Sequence, residues 1–195
     1  VMSQTIYAYI SDGGIQEEIS QGAGRIAGHL GLDNLIMYYD ANNVQLSTTV
    51  EEVDSEDVAA KYKAWGWHVI EIDGCCPEAI RKALREAKAT VGQPTLIIGK
   101  TIMGRGAVGP NGENYENRVN THGQPLSAAG ASIEATIKNL GGDPEAPFQI
   151  FPDVQELYAA RLQELRELAK ARKQEEKTWR EENPDRASKL DRWFA

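Results

Sequence analysis

Short runs of alternating β-branched and aromatic residues give way, three times in the first hundred positions, to apolar residues recurring every three to four places. Residues 5–10 and 35–39 read as strands, and residues 67–72 and 95–99 as two more. Between them the spacing predicts helices over 15–32, 58–65 and 77–89, with Pro77 at a first turn, its favoured place. Gly31, Gly66 and the turn Gly92-Gln93-Pro94 punctuate these segments. In residues 15–32, Ile15, Ile19, Ala23, Ile26, Ala27 and Leu30 form the predicted packing stripe. A strand, crossover helix and strand of this length run parallel. The alternation therefore predicts an α/β fold, a doubly wound, mostly parallel sheet with flanking helices.

The pattern then changes. Residues 99–130 are rich in glycine and polar side chains, and a loop of that length in a compact domain is usually functional or disordered. The functional reading is preferred, because the loop leaves the carboxyl end of the fourth strand. A helix is expected from Leu126 to Leu140, an extended linker over 147–152, and a long charged helix over 153–182. Leu157, Leu162, Leu165 and Leu168 would supply that helix's one packed face. Residues 183–195 read as a tail. Two regions follow: an α/β domain over 1–146, expected to be incomplete at its N-terminus, and a helical linker over 147–195. The chain opens almost directly on a core-type strand, so an upstream part is expected.

Composition narrows the chemistry. A net charge of −8 over 195 residues argues against a nucleic-acid surface. No run approaches transmembrane length. The only cysteines, Cys75 and Cys76, are neighbours, a spacing that strains a disulfide and points to a reducing, cytoplasmic setting. An acidic protein that binds phosphates must do so locally, through a metal, a helix N-terminus or a few placed cations.

Ser11-Asp12-Gly13 follows the first strand and Asn42-Asn43-Val44 follows the second. In open parallel sheets, ligands bind at that carboxyl edge. Asp12 alone reads best as a helix cap, but Asn42 at the next strand end changes the balance. A carboxylate, an amide oxygen and the Val44 carbonyl suit a hard cation, Mg²⁺ or Ca²⁺, shared with phosphate oxygens. The glycines after Asp12 permit close backbone approach, and the following helix N-terminus favours an anion. Glu17 and Glu18 serve either the helix dipole or, for Glu17, the site itself. His122 is a lone loop histidine, ordinarily exposed and idle. His68 reads as structural and His29 as a helix-end residue; Lys100 and Arg105 could counter a phosphate. The glycine run from Gly22 to Gly28 imitates a dinucleotide fingerprint but follows no strand, so it reads as close helix packing.

Further stretches carry a resemblance: Gly14-Ile15-Gln16-Glu17-Glu18, Tyr39-Asp40-Ala41-Asn42-Asn43, Trp65-Gly66-Trp67-His68-Val69, Ile72-Asp73-Gly74, Lys100-Thr101-Ile102-Met103-Gly104 and Thr121-His122-Gly123-Gln124-Pro125-Leu126. With Asp12-Gly13 and Asn42 they resemble the transketolase family of thiamine diphosphate enzymes, almost from end to end. The first glycine of the family's metal signature is Ser11 here. The resemblance implies a thiamine diphosphate-binding fold, with Asp12, Asn42 and the Val44 carbonyl as metal ligands. It implies that Gly13 and Asn42 contact the diphosphate, and that His122 stands beside the thiazolium and substrate. Glu17 would be an interface carboxylate in a proton relay between two sites. The implied parent is a homodimer transferring a two-carbon ketol unit between sugar phosphates, with this chain inactive by itself. Another thiamine diphosphate enzyme, such as deoxyxylulose-phosphate synthase or a keto-acid dehydrogenase component, is the nearest alternative. A non-catalytic binding or assembly module is the other.

Overall fold

The computed structural model describes residues 4–194, which fall into two compact units divided between Glu145 and Ala146. In the first, β1 (Ile6–Ser11), α1 (Asp12–Gln16), α2 (Glu18–Leu30), β2 (Leu35–Ala41), α3 (Val58–Ala64), β3 (His68–Asp73), α4 (Pro77–Ala89) and β4 (Thr95–Lys100) follow in order, with α5 (Ile133–Asn139) after a long loop. The sheet order is β1-β2-β4-β3, and every pairing is parallel. β4 lies between two neighbours, and its first five residues are all buried. That is why Thr95-Leu96-Ile97-Ile98 reads as an unbroken run rather than an alternating one.

Alternation sorts the strand side chains onto two cores. Tyr39, Leu96 and Ile98 pack with Ile15, Ala27, Tyr62 and Trp67 on the α1–α3 side. Ile36 and Ile97 pack with Ala83 and Ala87 of α4 on the other. Leu96 and Ile97 are wholly buried, each contributing about 1.5–3 kcal/mol.

The glycine run works as packing. A Cβ on Gly24 would lie 3.3 Å from both Tyr62 and Trp65, and one on Gly28 would lie 2.0 Å from the Trp65 carbonyl oxygen. The Trp67 indole N–H donates to the Gly24 carbonyl at 2.8 Å. Only with the small residues inward can α2 come this close. The expected stripe is corrected accordingly: Gly24 and Ala27 are the buried residues of α2, while Ile19, Ile26 and Leu30 are exposed.

Other expectations also shift. The single helix over 15–32 is two helices, because Glu17 adopts an extended conformation (φ −65°, ψ 133°) between them. The helix expected from Leu126 begins at Ile133. Gly130, at φ 92°, turns the chain, and Ser132 caps the helix by accepting from Ala135 N–H at 3.1 Å. Asp57 caps α3 in the same way. In the second unit, α6 (Pro152–Glu182) has no buried residue, so its leucine stripe is not a packed face within the described residues. Residues 184–194 form α7 (Pro184–Phe194) rather than a tail; Pro184 suits a first turn. No helix among the described residues is long and apolar enough to cross a membrane.

Candidate functional site

The β1–β2 register pairs Ile10 with Tyr39 and Ser11 with Asp40. Asp12, the next residue, therefore comes level with the end of β2. It does not cap a helix as expected. Ser11 holds the N-cap position, and Asp12 turns inward, only 2 % exposed. Its Oδ1 accepts from the Tyr39 hydroxyl at 2.6 Å and its Oδ2 from the Asn42 backbone N–H at 3.1 Å. Long-range donors across two strand ends have won over a local cap.

Asn42 is tied in from its other end. Its side-chain Oδ1 accepts from the Val44 N–H at 3.1 Å, closing a turn around Asn43, which sits in the left-handed region at φ 64°. Asparagine tolerates that conformation better than most residues. Val44 is buried and bridges to Thr49, so the loop after β2 is a closed turn. Asp12, Asn42 and Val44 thus form one connected group. Gly13, beside it, is exposed, and a Cβ there would meet nothing nearer than Gln45 Oε1 at 4.0 Å. Space remains over Gly13 for a ligand's backbone-directed approach.

The electrostatics are lopsided. Both donors to Asp12 are neutral, and among the described residues no lysine, arginine or histidine lies within ion-pairing distance of it. A buried carboxylate without a cation is costly. Each oxygen accepts one hydrogen bond and retains a further lone pair. This donor set fits a divalent cation. No group of three His, Cys, Asp or Glu side chains that could hold a metal exists among the described residues. A cation here would therefore rely on one carboxylate together with amide and main-chain oxygens, the hard ligands Mg²⁺ prefers. Burial first, and the Asp12 hydrogen bond second, push the Tyr39 phenol far above its ordinary value, so it remains a donor at any physiological pH.

His122 arrives from the long loop, which is ordered by its own hydrogen bonds. Gly109 and Glu113 close a tight hairpin, Glu116 accepts from Gly106 N–H at 2.7 Å, and Thr136 of α5 accepts from Val108 N–H at 3.1 Å. His122 ends a single 3₁₀ turn, residues Val119–Thr121. Its Nδ1 is buried with no hydrogen-bond partner among the described residues. A Cβ on the adjoining Gly123 would stand 3.5 Å from Leu46 Cδ1. The histidine loop therefore lies against the turn that follows Val44. Glu17 is different: it is exposed at the break between α1 and α2, and its side chain makes no hydrogen bond among the described residues.

Tyr39 and Leu46 escaped the sequence reading. A buried tyrosine needs a partner for its hydroxyl. Alternation alone could have placed Tyr39 on the side facing α1, where Asp12 waits.

The chain matches the family model "Transketolase, thiamine diphosphate binding domain" over residues 1–195. It is 34% identical to a transketolase of Physarum polycephalum over 98% of this chain and 28% of that protein. It is 38% identical to transketolase 2 of Xanthobacter flavus over 83% of this chain and 22% of that one. Its fold matches a Pichia stipitis transketolase solved with sedoheptulose-7-phosphate at TM-score 0.84, with 29% identity, covering 97% of this chain and 27% of that one. The chain thus spans between a fifth and a third of the length of these relatives.

Proposed function

The chain belongs to the transketolase family of thiamine diphosphate-binding domains, and on that premise we propose that it anchors the metal and diphosphate of a ketol-transferring enzyme. In the whole protein, a two-carbon unit would pass from a ketose phosphate to an aldose phosphate. The observation that carries this reading is the buried Asp12 carboxylate, held between two strand ends by neutral donors alone.

Asp12, the Asn42 Oδ1 and the Val44 carbonyl would hold Mg²⁺ or Ca²⁺. Gly13, with open space above it, and Asn42 would receive the diphosphate oxygens. When bound, thiamine diphosphate supplies the nucleophilic thiazolium carbon, and the protein supplies position and electrostatics. His122 would hold or move a proton at its ring nitrogen as charge develops on the substrate oxygen. Glu17, exposed in the single chain, would meet a second subunit of a homodimer and join a proton relay there. The two free cysteines suit a reducing compartment such as the cytoplasm.

Calorimetric titration of thiamine diphosphate into the full-length protein, with and without Mg²⁺, tests the anchor. A ketol-transfer assay with sugar phosphates tests the activity. Metal-dependent binding with transfer is the expected result. Metal-dependent binding without transfer would favour a binding module, and decarboxylation of pyruvate would favour a different thiamine diphosphate enzyme. Metal-independent binding would overturn the anchor.

A further inference from the structure

We propose that Tyr39 is a positioning residue for the metal, acting through Asp12; this rests on the reading that Asp12 is a metal ligand. Tyr39 is 6 % exposed and its hydroxyl is 2.6 Å from Asp12 Oδ1. With Asn42 N–H on the other oxygen, the carboxylate is clamped at both ends. Two donors from the neighbouring strand fix its plane, and each oxygen's remaining lone pair is directed by that plane rather than by side-chain rotation. A free aspartate at the same place would sample several rotamers.

The donor's own position is equally determined. Tyr39 pairs with Ile10 on one side and Ile98 on the other, and it packs in the core cluster with Ile15 and Tyr62. The ring cannot swing away without leaving that core. Ligating carboxylates depend on such outer partners, whose loss typically costs about 10–100-fold in metal affinity. Mg²⁺ demands near-ideal octahedral geometry, whereas Ca²⁺ tolerates irregular shells. Removing the hydroxyl therefore penalises Mg²⁺ more than Ca²⁺.

Tyr38 is an internal control. It points to the opposite face of the sheet and stacks on Tyr9, with ring centroids 6.0 Å apart and planes within 6°. The two residues are adjacent and chemically identical, but only one touches Asp12.

The experiment measures Mg²⁺ and Ca²⁺ dissociation constants, at saturating thiamine diphosphate, for the full-length protein and its Tyr39→Phe, Tyr38→Phe and Asp12→Asn variants. Tyr39→Phe is expected to weaken Mg²⁺ by roughly 10–100-fold, and to weaken Ca²⁺ by a smaller factor. Tyr38→Phe is expected to leave both constants unchanged. Partial misfolding would lower the number of sites without altering the ratio of the two constants, so the ratio separates positioning from a merely structural role. Equal losses for both metals, or none, would overturn the role of Tyr39. If Asp12→Asn also bound metal normally, the underlying ligand assignment would fall with it; if Asp12→Asn alone lost metal, that assignment would stand and only the Tyr39 inference would fail.

Discussion

The dipeptide Asp-Gly closes two strands of this sheet and does opposite work at each. Asp12 follows β1, is buried, and receives donors from the adjacent strand. Asp73 ends β3 and is exposed, and among the described residues its side chain accepts only the N–H of Cys75 two residues on, at 2.8 Å. The glycines differ just as sharply. A Cβ on Gly13 would find open space, but one on Gly74 would meet Thr101 at 2.6 Å, the Tyr38 hydroxyl at 2.7 Å and the Gly99 backbone at 2.9 Å. At β1 the aspartate is enclosed and the glycine open; at β3 the aspartate is open and the glycine enclosed. The neighbouring strand makes the difference. β1 lies beside β2, whose end offers Tyr39 and Asn42, while among the described residues β3 borders only β4, which ends in Lys100.

The contrast is broken most directly by removing each carboxylate. Asp12→Ala should weaken Mg²⁺-dependent thiamine diphosphate binding by more than the about 100-fold upper figure for an outer-shell partner, whereas Asp73→Ala should leave it within about twofold; calorimetry on the full-length protein reads both. Equal effects would erase the distinction. The glycines should divide the other way. Gly74→Ala should lower stability by about 1–3 kcal/mol through overpacking, seen in denaturant melts, with the binding constant retained. Gly13→Ala should fold normally and lose roughly tenfold in cofactor affinity, about 1.4 kcal/mol. Asn42→Ala sharpens the picture further. The donor to Asp12 is a backbone N–H and survives, so the expected loss, on the order of tenfold, comes from the Oδ1 ligand and the turn it closes on the Val44 N–H, and is smaller than for Asp12→Ala.

The smallest effect concerns Tyr62, whose buried hydroxyl has no partner among the described residues, in contrast to that of Tyr39. Burial pushes its phenol up to about 12. The folded phenol stays neutral while the unfolded one ionises near 10, so stability is full below about pH 10 and declines as pH rises through about 12. Tyr62→Phe should be near neutral at pH 7 and should reduce that alkaline decline by somewhat under about 1 kcal/mol at pH 10.5, where the unfolded phenol is ionised but the folded one is not. Thermal melts at pH 7 and pH 10.5 would show it.

Much of this was legible in the sequence because it is periodic. The four strands, the α4 helix and the meeting of Asp12 with Asn42 follow from alternation, turn residues and parallel crossovers. What escaped reading depends on pairings distant in sequence. The break at Glu17 leaves no proline or glycine at its own position. The buried face of α2 consists of glycine and alanine, whose value comes from Tyr62, Trp65 and Trp67 some forty residues later. Hydropathy counts Ile19 and Ile26 as core residues and cannot see that those indoles select the opposite side. Tyr39 reads as strand filling in the sequence, since its donor role exists only once β1 lies alongside.

The β1–β2 alignment has a consequence for how the site comes into being. A slip of one residue along β2 would exchange its two tyrosines, sending Tyr39 toward Tyr9 and leaving Asp12 facing the wrong side chain. The candidate site thus exists only where the parallel β1–β2 pairing has closed in the correct register. Substitutions remote from the carboxyl edge that loosen this alignment will therefore present as cofactor-loading defects before they present as unfolding.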